Sequence, residues 1–207
     1  VSHELRSPLA RLQMALGLAH QQNVDPATLS RVEREADRME ALVSQLLTLS
    51  RAEAGEANMQ KHALSLVLND VLTDANFEVA NKNKQLKIDD IPKKTVVIDS
   101  MMFCRAVENV LRNAIRHSKL VTHIAFSEDA QHWCIHITDD GDGLTIEECE
   151  RIFSPFYRAT LARERESGGV GLGLSIAKAA VELHHGRIIA EPAERGGLRV
   201  TMSFPKL

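Results

Sequence analysis

The chain has 207 residues, 44% hydrophobic and 26% charged, proportions that fit a globular protein of one or two domains and exclude disordered and fibrous classes. Its 25 basic and 28 acidic residues leave a formal charge of -3, and no dense Lys/Arg run marks a nucleic-acid groove, so no nucleic-acid partner is expected. Cys104, Cys134 and Cys149 are odd in number and lack metal-ligand spacing, which points to reduced, buried structural thiols in a cytoplasmic setting. No run of about 18 apolar residues is present and no signal peptide precedes the first motif. Val1 is not a methionine and helix-forming sequence begins at once, so the chain reads as a fragment whose link to a membrane, if it has one, lies upstream.

From the N-terminus, Leu5, Leu9, Leu12, Leu16 and Ala19 alternate steps of four and three, the seam of a packed helix. Leu29, Val32, Ala36, Met39, Val43 and Leu46 repeat the pattern after a break at residues 23–27, where Asp25 is placed to cap and Pro26 to open the second helix. Two helices of this size bury too little surface to stand alone, so the hairpin is expected to pair with a second copy as a homodimeric four-helix bundle. The apolar period fades around Gly55, which puts a domain boundary near residues 52 to 60.

The remaining elements have another character. Residues 65–81 read as an amphipathic helix, 95–98 as a short strand, and 99–117 as a helix capped by Asp99 or Ser100. Strands follow at 122–127 and 133–139, a short helix lies within 144–168, and a helix spans 175–183. Residues 187–191 and 198–204 form a closing hairpin. The fold class is α+β: an N-terminal helical hairpin followed by a layered α/β domain, residues 1–55 and 56–207.

Chemistry gathers at four places. In Ser2-His-Glu-Leu-Arg-Ser-Pro-Leu9, His3 lies about 200° around the helix from Leu5, away from the seam. A neutral imidazole there offers a nitrogen lone pair for attack on phosphorus. Ser7 follows one turn later on the same face, Pro8 is placed to kink the helix, and Met14 falls about 20° from His3. Asn109, Asn113 and Arg116 share one side of their helix, next to His117. Asp139-Asp-Gly-Asp-Gly143 ends a strand in a tight glycine turn, with Asp140 and Asp142 reading as solvated. Gly169-Val-Gly-Leu-Gly-Leu174 opens a helix whose N-terminal amides suit phosphate. It is neither a Rossmann fingerprint, because Ile176 stands at the third glycine, nor a P-loop, because no Gly-Lys-Ser/Thr follows.

These segments, in this order, resemble the H-box, N-box, G1 box and G2 box of bacterial sensor histidine kinases, and Phe153-Ser-Pro-Phe-Tyr-Arg158 resembles their F-box. More narrowly, residues 7–13 and 165–174 are similar to the Cpx-type envelope-stress kinases. The resemblance implies an ATP-binding domain of the gyrase, Hsp90 and histidine-kinase type behind a dimerisation and phosphotransfer domain. It casts His3 as phosphate acceptor, Glu4 as the base assisting it, and Ser7 as a hydroxyl where kinases with phosphatase activity usually carry Thr or Asn. It implies Mg²⁺ held by Asn113 with Asn109 nearby, Arg116 and His117 beside the nucleotide, and Asp139 accepting from the adenine amine. Gly141, Gly143, Gly169, Gly171, Gly173 and Leu174 would shape the nucleotide site. Phe153 and Phe156 would anchor a lid from which Arg158, Arg163 or Arg165 reaches the triphosphate. The implied activity is ATP-dependent autophosphorylation of His3 and transfer to an aspartate of a response-regulator receiver domain, in the cytoplasmic portion of an inner-membrane sensor. The alternative is a degenerate, nucleotide-binding dimeric scaffold.

Overall fold

The structure is a computed structural model that describes residues 26–55, 57–158, 171–194 and 196–206. His3, Glu4, Ser7, Met14, the expected first helix, Gly169, Arg163 and Arg165 lie outside the described residues. Contacts divide the chain into two compact units, Val1–Ser50 and Arg51–Leu207.

Helix α1, Pro26–Glu53, carries Pro26 at its first position and Arg51 in its last turn, each suited to its end of the helix. Gly55, at φ +71°, returns its amide to Ala52 O and terminates it. Of the expected apolar seam, Ala36 is buried and Val43 half-buried, whereas Val32, Met39 and Leu46 are 39%, 53% and 43% exposed. Among the described residues no helix is long and apolar enough to cross a membrane.

The second unit runs β1 (Gln60–Ala63), α2 (Leu64–Asn81), β2 (Gln85–Ile88), β3 (Thr95–Ile98), α3 (Ser100–His117), β4 (Val121–Glu128), β5 (His132–Asp139), α4 (Ile146–Arg151), α5 (Gly173–Leu183), β6 (Arg187–Pro192) and β7 (Leu198–Pro205). Strands β2-β4-β5-β7-β6 form one mixed sheet, in which only β2 and β4 run parallel, and β1 pairs with β3 in a small antiparallel sheet. β5 shows why two layers form: Trp133, Ile135, Ile137 and Asp139 are buried on one face, and His132, Cys134, His136 and Thr138 are half-buried on the other. The buried face meets α3, which packs against α2 and α5, so one core runs between sheet and helices. Phe103 anchors it, with ring centroids 5.9 Å from Trp133 and 5.4 Å from Phe204.

Local chemistry sets the boundaries. Asp99 caps α3, its Oδ1 accepting from Met102 N at 3.0 Å, and Lys84 Nζ closes the other end on the carbonyls of Ile115 and Ser118 at 2.7 and 2.5 Å. Thr145 and Glu148 form a reciprocal capping box on α4. Asp129 Oδ1 accepts from Gln131 N and His132 N, each at 2.7 Å, and turns β4 into β5.

Three expectations need correction. The strands β1 and β2, four residues each, were not expected from the sequence; pairing with β3 and β4 holds them in place of any strong local pattern. Cysteines are free, but only Cys149 is buried; Cys134 lies on the outer face of the sheet, and Cys104 sits half-buried with Sγ 3.5 Å from Val67 O. Phe153 packs against the core, whereas Phe156 is 60% exposed with φ +64° and anchors nothing by burial.

Candidate functional site

The buried side of α3 is locked into the core, and this fixes its neighbouring face, where Asn109, Asn113 and Arg116 are half-buried and His117 is exposed. Asn109 Nδ2 donates to Arg105 O at 2.8 Å, one turn back, which leaves the amide oxygen turned toward α5. The backbone of Gly173 comes so close that a Cβ there would stand 2.9 Å from Asn109 Oδ1. The glycine at the start of α5 therefore lets the phosphate-suited helix N-terminus approach the asparagine face.

Asp139 closes the other end. It is buried, and its Oδ1 accepts from Gly141 N at 2.9 Å and Leu198 N at 3.3 Å. Burial, the largest influence, raises its pKa above the ordinary carboxylate value, against those two amides and the neighbouring His117. Gly141 passes so near that a Cβ would run into the carbonyl of His117 and Asp139 Oδ1, which binds this turn to the end of α3. Gly143 faces the backbone of Gly197, and Gly197 in turn lies against Asp139, so β7 completes the enclosure.

Asp140 is not merely solvated. Its carboxylate accepts from the amides of Lys119, Leu120 and Val121 at 2.8 to 3.2 Å and fastens the start of β4. Burial pushes this carboxyl up, but the amides together outweigh it and hold its pKa below the ordinary value. Asp142 is exposed and pairs with Lys119 at 2.6 Å.

At the phosphate-suited end, Leu172 is buried and leads into α5, while Leu174 packs half-buried against the core. Gly171, at φ +81°, lies against the backbone of Phe156 and Tyr157, and its carbonyl accepts from Phe156 N at 2.9 Å. This brings the F-box-like segment to the glycine turn. Arg158 is exposed at the end of that segment.

The structure thus joins Asn109 to Gly173, and His117 and Asp139 to Gly141; Asn113 and Arg116 share the α3 face with Asn109. Sequence reasoning overlooked Gly197 and the fastening role of Asp140. The Gly196-Gly197 pair before β7 was the available signal for the first, and nothing local announced the second. Chemically the site combines a buried acceptor, an amide-bearing helix face and a helix N-terminus, which are the elements needed to hold a base at one end and phosphates at the other.

The chain resembles known proteins over nearly its whole length. Residues 98–207 match the histidine kinase-, DNA gyrase B- and HSP90-like ATPase family, and residues 1–55 match the His Kinase A (phospho-acceptor) domain. The sensor histidine kinase CpxA of Escherichia coli strain K12 is 37% identical over 213 residues, covering 99% of this chain and 45% of the relative. WalK of Bacillus subtilis strain 168 is 32% identical, covering 99% of this chain and 35% of its own. The chain therefore spans less than half the length of these relatives. Full-length ShkA, crystallised with AMPPNP, shares the fold with a TM-score of 0.81 at 18% identity, over 99% of this chain and 44% of that one. The Acinetobacter baumannii kinase AdeS does so with a TM-score of 0.69 at 22% identity, over 98% and 97%. The chain belongs to the histidine kinase-, DNA gyrase B- and HSP90-like ATPase family, with a match to the His Kinase A (phospho-acceptor) domain ahead of it in residues 1–55.

Proposed function

We propose that this chain is the catalytic core of a two-component sensor kinase. Residues 56–207 bind ATP with Mg²⁺, the γ-phosphoryl group passes to a ring nitrogen of His3 within residues 1–55, and the phosphohistidine serves an aspartate on a response-regulator receiver domain. One observation carries the reading: buried Asp139, the Asn109 and Asn113 face and the Gly171 to Gly173 turn belong to one folded unit, linked by Gly141 and Gly173.

In this reading Asp139 accepts from the exocyclic amine of adenine, a contact that the carbonyl of guanine does not offer. The free amides at the start of α5 hold phosphate oxygens, and Arg116 and His117 flank the nucleotide. Asn113 and the inward-turned oxygen of Asn109 are hard, neutral donors of the kind Mg²⁺ takes when phosphates and water complete its shell. A cation held there would neutralise charge on the phosphates. The lone pair of neutral His3 forms the N–P bond as the bond from the γ-phosphorus to the bridging oxygen breaks and ADP departs. Glu4 takes the ring proton, and Ser7, four residues further along the sequence than His3, offers its hydroxyl to the new phosphate. Arg158, Arg163 or Arg165 reaches the phosphates from the lid; Arg158 is exposed, and the other two lie outside the described residues.

Exposed Val32, Met39 and Leu46, spaced by seven residues, support a homodimer in which a second α1 covers the stripe. ATP as phosphoryl donor supports the cytoplasmic side of a membrane-anchored sensor as the site of action.

Incubation with γ-labelled ATP and Mg²⁺ tests the reading. Acid-labile label is expected on the wild type and none on His3→Gln. Asn113→Ala is expected to lose labelling and to bind ATP at least about tenfold more weakly. Acid-stable label, or undiminished labelling of His3→Gln, would sink the assignment.

A further inference from the structure

At the end of the sheet remote from Asp139 the core does not close completely. A cavity of about 250 Å³ opens there between β3 and the far ends of β4, β5 and β7, walled by Trp133, Phe204 and His184. Trp133 and Asp139 are six residues apart on β5, about 20 Å at about 3.3 Å per residue, so this cavity is separate from the candidate nucleotide site. Its volume lies below the range of about 300–1,000 Å³ that drug-sized ligands occupy, which limits an occupant to a small molecule.

Wall and rim differ in chemistry. Trp133 and Phe204 stack with ring centroids 4.6 Å apart and planes 23° from parallel, and the His184 ring meets Phe204 edge-on. His184 has both ring nitrogens engaged, since Nδ1 donates to Ala180 O and Nε2 accepts from Asp99 N. The wall is therefore flat and without a free polar group on its rings. At the rim, Lys94 Nζ and Lys206 Nζ converge on one carboxylate oxygen, Oε2 of Glu128, at 2.8 and 3.4 Å. The Lys94 side chain is only 21% exposed, and its ammonium stands 5.4 Å from the centre of the Trp133 ring. Asp129, next along the chain, turns its Oδ1 to the amides of Gln131 and His132. An ammonium offers several N–H donors, so two of them exceed what one shared oxygen accepts.

We propose that this cavity is a second ligand site, for a small aromatic carboxylate whose ring rests on the Trp133 and Phe204 wall and whose carboxylate bridges Lys94 and Lys206. The ring matches the flat wall, and the anion supplies the acceptors that Glu128 alone does not. A neutral ring would leave the lysines as they are, and a bare inorganic anion would leave the wall uncovered.

Trp133 is the one tryptophan of the chain, so its fluorescence reports this cavity directly. Titration with benzoate should give a saturable change with a Kd of about 1 mM or tighter, and benzamide, the same ring without the charge, should bind at least about tenfold more weakly. Inorganic phosphate should give no saturable change. Lys206→Gln should bind benzoate about fivefold more weakly, and Glu128→Gln, which releases both ammonium groups, about threefold more tightly, with both variants melting close to wild type. Added ATP should leave the benzoate curve in place. A response that does not saturate, equal affinity for benzoate and benzamide, a benzoate affinity that neither substitution changes, or displacement of benzoate by ATP overturns the proposal.

Discussion

Helix α1 leaves Val32, Met39 and Leu46 exposed at intervals of seven residues, whereas α3 buries Phe103, Val107, Val110, Leu111, Ala114 and Ile115 along one continuous side. Both helices show regular apolar spacing in the sequence. Their burial differs because α3 finds its covering surface in β5, α2 and α5 of the same unit, while the α1 stripe is proposed to find it in a second copy. Periodicity records that a helix has a face to cover. It does not record which chain supplies the cover.

The largest effect is expected where the cover is internal. Phe103→Ala removes a ring that touches Trp133, His184 and Phe204 and should cost the second unit about 3–5 kcal/mol, independent of protein concentration in denaturant titrations. A loss that varies with concentration would make this unit dependent on a partner too.

On α1, Leu46→Glu or Met39→Glu should weaken self-association by about 2–3 kcal/mol, read by sedimentation, as charge enters an apolar seam. The melting of the ATP-binding unit should stay where it is. Undiminished association would place the dimer contact elsewhere.

Two adjacent aspartates sharpen the contrast between fastening and function inside one turn. Asp140→Ala strands the amides of Lys119, Leu120 and Val121 and should cost about 1–2 kcal/mol of stability at pH 7. Because folding lowers the pKa of Asp140, its contribution is present above the ordinary carboxylate pKa of about 3.9 and is lost as pH falls through the folded value. Unfolding measured from pH 6 down to 2 should show this difference between wild type and variant shrinking.

The smallest change in stability, and the opposite sign, belongs to Asp139. Folding raises its pKa, so its contribution favours the fold at low pH and is lost as pH rises through the folded value. Asp139→Asn should therefore melt slightly above wild type at pH 7–8, converge with it in acid below about pH 4, and fail to prefer ATP over GTP. A lower melting temperature at neutral pH would show the ionised carboxylate to be stabilising.

Much of this molecule was legible from local pattern. The cap of α3 at Asp99 or Ser100, the alternation on β5, the β6–β7 hairpin and the segments around Asn113, Asp139 and Gly173 all declare themselves within a few residues, because capping, pleat and helix period act over that range, and the structure gives the cap to Asp99. The role assigned to His3 also rests on the sequence, through its motif and its distance from the apolar seam. Strands β1 and β2 escaped because four residues carry little period, and Phe156 misled because an aromatic residue in a motif does not disclose its exposure.

The tertiary structure alone decided what depends on register and close approach. The ladder sets Thr122 against Asp139, the turn carries Gly141 under the carbonyl of His117, and α5 brings Gly173 to Asn109. It also divided two neighbouring aspartates, turning Asp139 into a buried acceptor beside the candidate base site and Asp140 into a clasp on β4. These arrangements join residues far apart in the chain. Their geometry follows from how sheet and helices share one core, which no local window of sequence contains.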